Sequence, residues 1–262
     1  MKSVIAAAWF GTRMLPITKA IPKELMPVWK KPVLQYIVEW IADAGIKDIV
    51  IVTSNGKDAI ENFFDKNYEL ETLLEKKWKT ELLKEVKKTQ NLANLSFVRQ
   101  KRAMGFADAL MQAKPWINEE FFLLSIWDTI FDWQIFKDLM QKFEQEKKPI
   151  IVLQEIPWEK VSSYGVVKIE NNKITNIVEK PQQSEAPSNC IISWIYLLPY
   201  KIFEIIETLK VDPKFWEIML NDAMMLLTKY YDILPMITTH KIRDVWTPEL
   251  WLKANNDLFP GN

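Results

Sequence analysis

The chain reads as an α/β protein: a doubly wound, mostly parallel, Rossmann-like mixed sheet with a small inserted β-rich lobe. Three observations predict this. Short apolar runs alternate with helix-period segments up to about residue 156, as in βα units whose sheet is covered on both faces. Beyond that the rhythm changes to paired strands and helices. No repeat, low-complexity tract or Pro/Gly/Ser-rich linker divides the 262 residues, so one domain is expected.

Lys2–Ala8 reads as a buried strand, followed by a loop at 9–16 and a polar segment. Pro32–Gly45 reads as a helix, because Leu34, Ile37, Val38 and Ile41 recur at helical spacing and Gly45 supplies the stop. Asp48–Thr53 is a continuous apolar strand and Asp58–Phe64 a helix. Glu69–Gln90 is so charged that it reads as one solvated helical excursion. Leu95–Gln100 and Phe121–Ile126 are strands; Phe136, Leu139, Met140 and Phe143 share a helical face; Pro149–Ile156 is a strand again. Val166–Ile169 and Ile174–Val178 flank Asn171-Asn172 and predict a hairpin. Cys190–Leu198 reads as strand, Lys201–Leu209 and Asn221–Lys229 as helices, Ile233–Val245 as strand and Pro248–Asn255 as helix.

Composition narrows the function. Formal net charge is zero, so no global field favours nucleic acid or a membrane surface. The single cysteine, Cys190, allows no internal disulfide and fits a reducing, cytoplasmic setting. No apolar run approaches transmembrane length, and the N-terminus is strand-like rather than a signal peptide. A lone histidine, His240, argues against a multi-histidine metal site or a Ser–His triad.

Ligands of doubly wound sheets sit outside the carboxyl ends of the strands. The first such loop, Trp9 to Pro16, contains Gly11, Thr12 and Arg13, which can offer backbone N–H groups and a guanidinium to phosphate. Any strand-to-helix turn needs a glycine, so the loop alone leaves structural and functional readings open. The wider string is more specific. The pattern G-x-G-T-R-x-L-P-x-T-K-x-x-P-K-E-x-L-P is matched at Gly11, Thr12, Arg13, Leu15, Pro16, Thr18, Lys19, Pro22, Lys23, Glu24 and Pro27. Further matching strings run in order to the C-terminal region, among them VSSYGVVKIE, IVEKP and EIMLNDAM. On these residues the chain resembles the bacterial UTP–glucose-1-phosphate uridylyltransferases, which are sugar nucleotidyltransferases.

The resemblance implies one nucleotidyltransferase domain, with residues 1–156 binding nucleotide and 157–262 supplying the sugar-phosphate lobe and C-terminal helices. It implies UTP and glucose 1-phosphate as substrates, Mg²⁺ as cofactor, and leaves a homo-oligomer open. The nucleophile, a phosphate oxygen, is already anionic, so the site needs positioning and charge stabilisation rather than a general base. Arg13 and Lys23 are the candidates for the triphosphate, with Ala7, Ala8, Gly11 and Thr12 in the nucleotide loop. Asp128 directly follows an apolar strand, which suits a hard cation bridging phosphates as well as it suits a helix cap; the resemblance selects the metal, with Asp244 as second ligand. Gln100 and Gly105 match positions that read the uracil edge. Lys180, otherwise an ordinary surface lysine, matches the one that takes the phosphate of glucose 1-phosphate. Glu179 matches a contact to glucose hydroxyls, and Gly165 lets backbone approach the sugar.

Two departures stand out. The family string L-G-L-G-H-A is here Met104-Gly105-Phe106-Ala107-Asp108-Ala109, so dTTP or CTP remains an alternative to UTP. At a usual glycine share the chain would carry roughly 18; it has 6, together with 12 tryptophans. Trp9, Trp29, Trp127, Trp194 and Trp246 stand at family glycine positions, and Trp78, Trp216 and Trp251 join them on a looser match. Some bacterial lineages read UGA as glycine and other variant codes read it as tryptophan. The pattern is therefore expected to be a decoding artefact at most tryptophans other than Trp116, Trp133 and Trp158. Were the indoles genuine, a catalytically dead binding protein of the same fold becomes the alternative.

Overall fold

The computed structural model describes residues 1–213 and 215–259. Among these residues nine strands form the main sheet: β1 Lys2–Ala6, β2 Asp48–Thr53, β3 Asn94–Arg99, β4 Phe121–Ile126, β5 Ile150–Glu155, β6 Gly165–Glu170, β7 Lys173–Glu179, β8 Cys190–Pro199 and β9 Leu234–Ile237. Their order is β7-β6-β8-β4-β1-β2-β3, with β5 pairing β8 and β9 pairing β5. The half β4-β1-β2-β3 is parallel, as the buried apolar runs predict. Antiparallel pairing enters through β8, which runs against β4, β5 and β6.

Among the described residues nine α-helices cover the faces: α1 Val33–Asp43, α2 Asp58–Phe64, α3 Tyr68–Lys76, α4 Thr80–Gln90, α5 Phe106–Gln112, α6 Gln134–Glu146, α7 Lys201–Thr208, α8 Leu220–Leu227 and α9 Pro248–Leu258. Two apolar layers result. One packs α5, α7 and α8 on the sheet through Leu110, Phe203 and Met224; the other packs α1 and α6 through Leu34, Ile37, Phe136 and Leu139. The predicted helical stripes thus face the sheet.

Two expectations need correction. The charged stretch 69–90 is two helices, not one, because Trp78 adopts a left-handed backbone (φ 56) that ends α3. Its register is fixed inward too, since Leu74 and Glu71 are buried. Ile233–Val245 is likewise not one strand. After β9 the chain turns away, with the His240 N–H donating to Thr238 Oγ1 and the His240 ring meeting Asp138. A second, two-residue ladder then pairs Arg243–Asp244 with Thr129–Ile130. The Asn171-Asn172 hairpin is present, both residues at positive φ as a tight primed turn requires.

Candidate active site

Strand β1 lies between β2 and β4, so its carboxyl end opens at the centre of the parallel half. The chain then makes three single turns of 3-10 helix, Thr12–Met14, Ile17–Lys19 and Lys23–Leu25. Gly11 is needed at the first: its φ is +65, and a Cβ there would meet Lys23 Cβ at 3.0 Å. That close approach packs the stem of Lys23 beneath the loop. Lys23 is buried and its Nζ stands 3.7 Å from Asp128 Oδ2. Burial lowers the Lys23 pKa, with the Asp128 carboxylate opposing.

A second cation fixes this loop. The buried Lys57 Nζ donates to the Ala7 carbonyl at 2.8 Å, to the Trp9 carbonyl at 2.6 Å and to the fully buried Glu24 carboxylate. One ammonium therefore ties the backbone after β1 to the turn that carries Lys23. Burial pushes Lys57 down and Glu24 up, and each opposes the other's shift. Removing one partner of such a pair leaves an uncompensated buried charge.

The acidic wall forms where β4 ends. Asp128 comes two residues on, after Trp127, and its carbonyl accepts from the Val245 N–H at 3.1 Å. The short ladder places Asp244 opposite Thr129, which brings the two aspartates into one site across 116 residues of sequence. Asp244 accepts from Tyr164 OH at 3.1 Å and Thr129 Oγ1 at 3.3 Å. Burial raises the pKa of both aspartates; the Lys23 ammonium counters this at Asp128 and the Tyr164 hydroxyl counters it at Asp244. Among the described residues no group of three metal-ligating side chains occurs. Two partly buried carboxylates, one oriented by hydroxyls, are nonetheless of the hard oxygen-donor type that would suit a divalent cation.

Two adjoining cavities meet at Asp128, and Asp244 borders the larger. The larger, about 310 Å³, is bordered by Ala8, Gln100, Gly105, Asp128, Glu179, Lys180 and Asp244 among others. The smaller, about 170 Å³, is lined by Gly11, Thr12, Arg13, Lys23 and Asp128, and shares Trp9, Asp128 and Trp246 with its neighbour. The sequence-expected residues are therefore brought together from β1, β3, β4, β7 and the 243–246 segment. Ala7 is set behind them, buried, with its carbonyl on Lys57. Gly165 packs beside Glu179 and Asn221: a Cβ there would meet Asn221 Nδ2 at 3.1 Å and Glu179 Oε2 at 3.2 Å.

At that end the Glu179 carboxylate accepts from Asn221 Nδ2 at 2.7 Å. Lys180 sits at φ 44, a strained value for a residue preceding proline, with its N–H donating to the Tyr164 carbonyl at 3.0 Å. Lys57, Tyr164 and Asn221 were not among the expected site residues; Tyr164 and Asn221 lie within the matching strings VSSYGVVKIE and EIMLNDAM, but residue type alone does not single them out.

Indoles crowd the same space. Trp9 and Trp246 line both cavities and Trp127 the larger one. Arg13 lies over the Trp246 ring at 5.2 Å and Lys23 over the Trp127 ring at 5.0 Å, so both cations face aromatic surface.

A nucleotidyl transferase family model matches residues 2–258. The chain belongs to the nucleotidyl transferase family. Members generally work with a divalent metal. This nucleotidyl transferase is 47% identical over 263 residues to a Methanocaldococcus jannaschii protein provisionally named a UTP–glucose-1-phosphate uridylyltransferase, covering 98% of this chain and 92% of the relative. It is 40% identical to the Bacillus subtilis UTP–glucose-1-phosphate uridylyltransferase over 87% of this chain and 80% of that one. Among solved structures, a UTP-bound UGPase from Acinetobacter baumannii superposes with TM-score 0.90 at 31% identity, covering 98% of this chain and 92% of that one. A UDP-glucose pyrophosphorylase complexed with UDP-glucose gives TM-score 0.86 at 32% identity, covering 98% and 97%.

Proposed function

We propose that the chain is a UTP–glucose-1-phosphate uridylyltransferase, working in the cytoplasm as a single domain. The observation that carries this reading is the convergence of Arg13, Lys23, Asp128, Gln100, Glu179 and Lys180 on two communicating cavities at the sheet's carboxyl edge. The smaller cavity, walled by Arg13 and Lys23, takes the triphosphate. Gln100 and Gly105 take the base, while Glu179 and Lys180 take the sugar and its phosphate. A phosphate oxygen of glucose 1-phosphate attacks the α-phosphorus of UTP in line. The bond from that phosphorus to the bridging oxygen breaks, and pyrophosphate departs with the electron pair. No side chain need accept a proton. Arg13, Lys23 and Lys180 offset the repulsion between the anions, and Lys23, the buried one of the three, acts in the least screened position. A magnesium ion held by Asp128 and Asp244 would supply further charge neutralisation on the phosphates.

The test is pyrophosphate release measured with glucose 1-phosphate and each of UTP, dTTP and CTP. UTP is expected to give the highest kcat/KM. Preference for dTTP or CTP would move the chain to a sister activity, and no release with any of them would overturn the reading.

We further propose that the natural protein carries glycine at several tryptophan positions, for which backbone geometry is independent support. Among the described residues eight non-glycines have positive φ, and four are tryptophans: Trp29, Trp78, Trp194 and Trp216. Three of them sit in places glycine ordinarily takes. Trp29 is the first residue of the two-residue loop between Val28 and Lys31, where a type II′ hairpin wants glycine. Trp78 follows the C-cap of α3, and the Lys79 N–H bonding to the Leu74 carbonyl at 2.9 Å completes a Schellman-type ending. Trp194 lies where the β8–β5 register slips, the position of a glycine bulge. Trp216 is 76% exposed and Trp78 89% exposed, so burial does not account for either indole. A non-catalytic binding function is favoured only by the indoles stacked on Arg13 and Lys23, and glycine removes that observation.

A further inference from the structure

We infer that Asp108 is a specificity-determining positioning residue, holding the Gln100 carboxamide so that its oxygen alone is offered to the base. This rests on the uridylyltransferase reading above. Gln100 is nearly buried, lines the larger cavity, and ends the run of β3 with its backbone N–H on the Thr53 carbonyl at 2.8 Å. Its Nε2 donates to the Gly105 carbonyl at 3.1 Å and to Asp108 Oδ2 at 2.7 Å. Both partners are pure acceptors, so the orientation of the amide follows from chemistry: turning it over would set Oε1 against two oxygens.

With both Nε2 hydrogens engaged, the side chain can only accept at Oε1. Uracil and thymine present a donor, N3–H, at the middle of their pairing edge. Cytosine presents a bare acceptor nitrogen there. The locked amide therefore favours UTP and dTTP over CTP. Gly105 also accepts from the Ala109 N–H at 3.1 Å, so its carbonyl is shared with α5 and Asp108 supplies the charge-assisted bond. Asp108 also sits in the first turn of α5, where a carboxylate favours the helix dipole. That structural role predicts a different mutational pattern.

The experiment compares Asp108→Ala with Asp108→Asn in the chain bearing glycine at positions 9, 127 and 246, and in parallel in the tryptophan chain. Both substitutions remove the charge at the helix start, but asparagine keeps an acceptor for Nε2. Asp108→Ala is expected to lower the UTP:CTP ratio of kcat/KM about tenfold or more, and Asp108→Asn to hold it within about threefold of the parent. The UTP:dTTP ratio, which shares N3–H, should stay put in both. In ¹⁵N-labelled protein the Gln100 side-chain protons should exchange slowly in the parent and in Asp108→Asn, and quickly in Asp108→Ala. Equal ratios and equal exchange in the two variants would overturn the lock. A parent that turns over no nucleotide would instead overturn the functional reading, leaving the exchange measurement to decide the orientation of Gln100.

Discussion

Asp128→Asn is expected to lower kcat/KM with UTP and glucose 1-phosphate by about 10³-fold, the scale seen when one preorganised charge-stabilising group is removed. The carboxylate stands at the junction of both cavities, beside Lys23 and facing Asp244 across the Thr129 ladder. Burial raises its pKa while the Lys23 ammonium beside it counters the rise, and 26% of the side chain stays exposed in the cleft. A perturbed carboxylate open to a cleft marks a functional site. The amide is close in shape, so the fold should survive while the Mg²⁺-dependence of UTP binding, read by calorimetry, disappears. Full activity in Asp128→Asn would remove the aspartate from the mechanism.

The joint replacement of Trp29, Trp78, Trp194 and Trp216 by glycine should stabilise the chain by roughly 4 kcal/mol, taking about 1 kcal/mol for each bulky residue relieved of a left-handed backbone. At roughly 2–4 °C per kcal/mol for a domain of this size, Tm should rise by about 8–16 °C. Glycine normally lowers stability through the entropy of the unfolded chain, so a gain on this scale is opposite in sign to the ordinary result. Adding glycine at 9, 127 and 246 should then release Arg13 and Lys23 from the indoles and raise kcat/KM, an effect Tm alone would not show. A Tm that falls on the first set, or UGG codons in the gene at those four positions, would refute glycine decoding.

How legible these features are in sequence depends on the range of the interactions that make them. Asp48–Thr53 is readable because a strand buried on both faces must be apolar throughout, and all but its first residue are buried. Asn171-Asn172 is readable because a two-residue hairpin demands residues that tolerate positive φ. The stretch 233–245 misleads because β-branched Thr238, Thr239, Ile242 and Val245 continue past Ile237, and the bond from His240 to Asp138 that turns it aside comes from 102 residues away. Arg13, Lys23 and Lys180 are ordinary surface-like cations by type, and only the motif around each marks it. Lys57 carries no such mark: its burial depends on Glu24 and on two carbonyls of another loop, and a lysine in a charged helical start gives no sign of that.

Direct transfer between two phosphorylated substrates, held in one cationic and acidic cleft, is the step on which every assigned role depends. The most direct measurement uses UTP of known configuration at a sulfur-substituted α-phosphorus and determines the configuration of the UDP-glucose analogue formed. Direct attack by the sugar phosphate predicts inversion at that phosphorus. Retention would require two successive displacements through a group on the protein, and would contradict the roles of Arg13, Lys23, Asp128 and Lys180 as groups that position and neutralise the substrates without bonding to them.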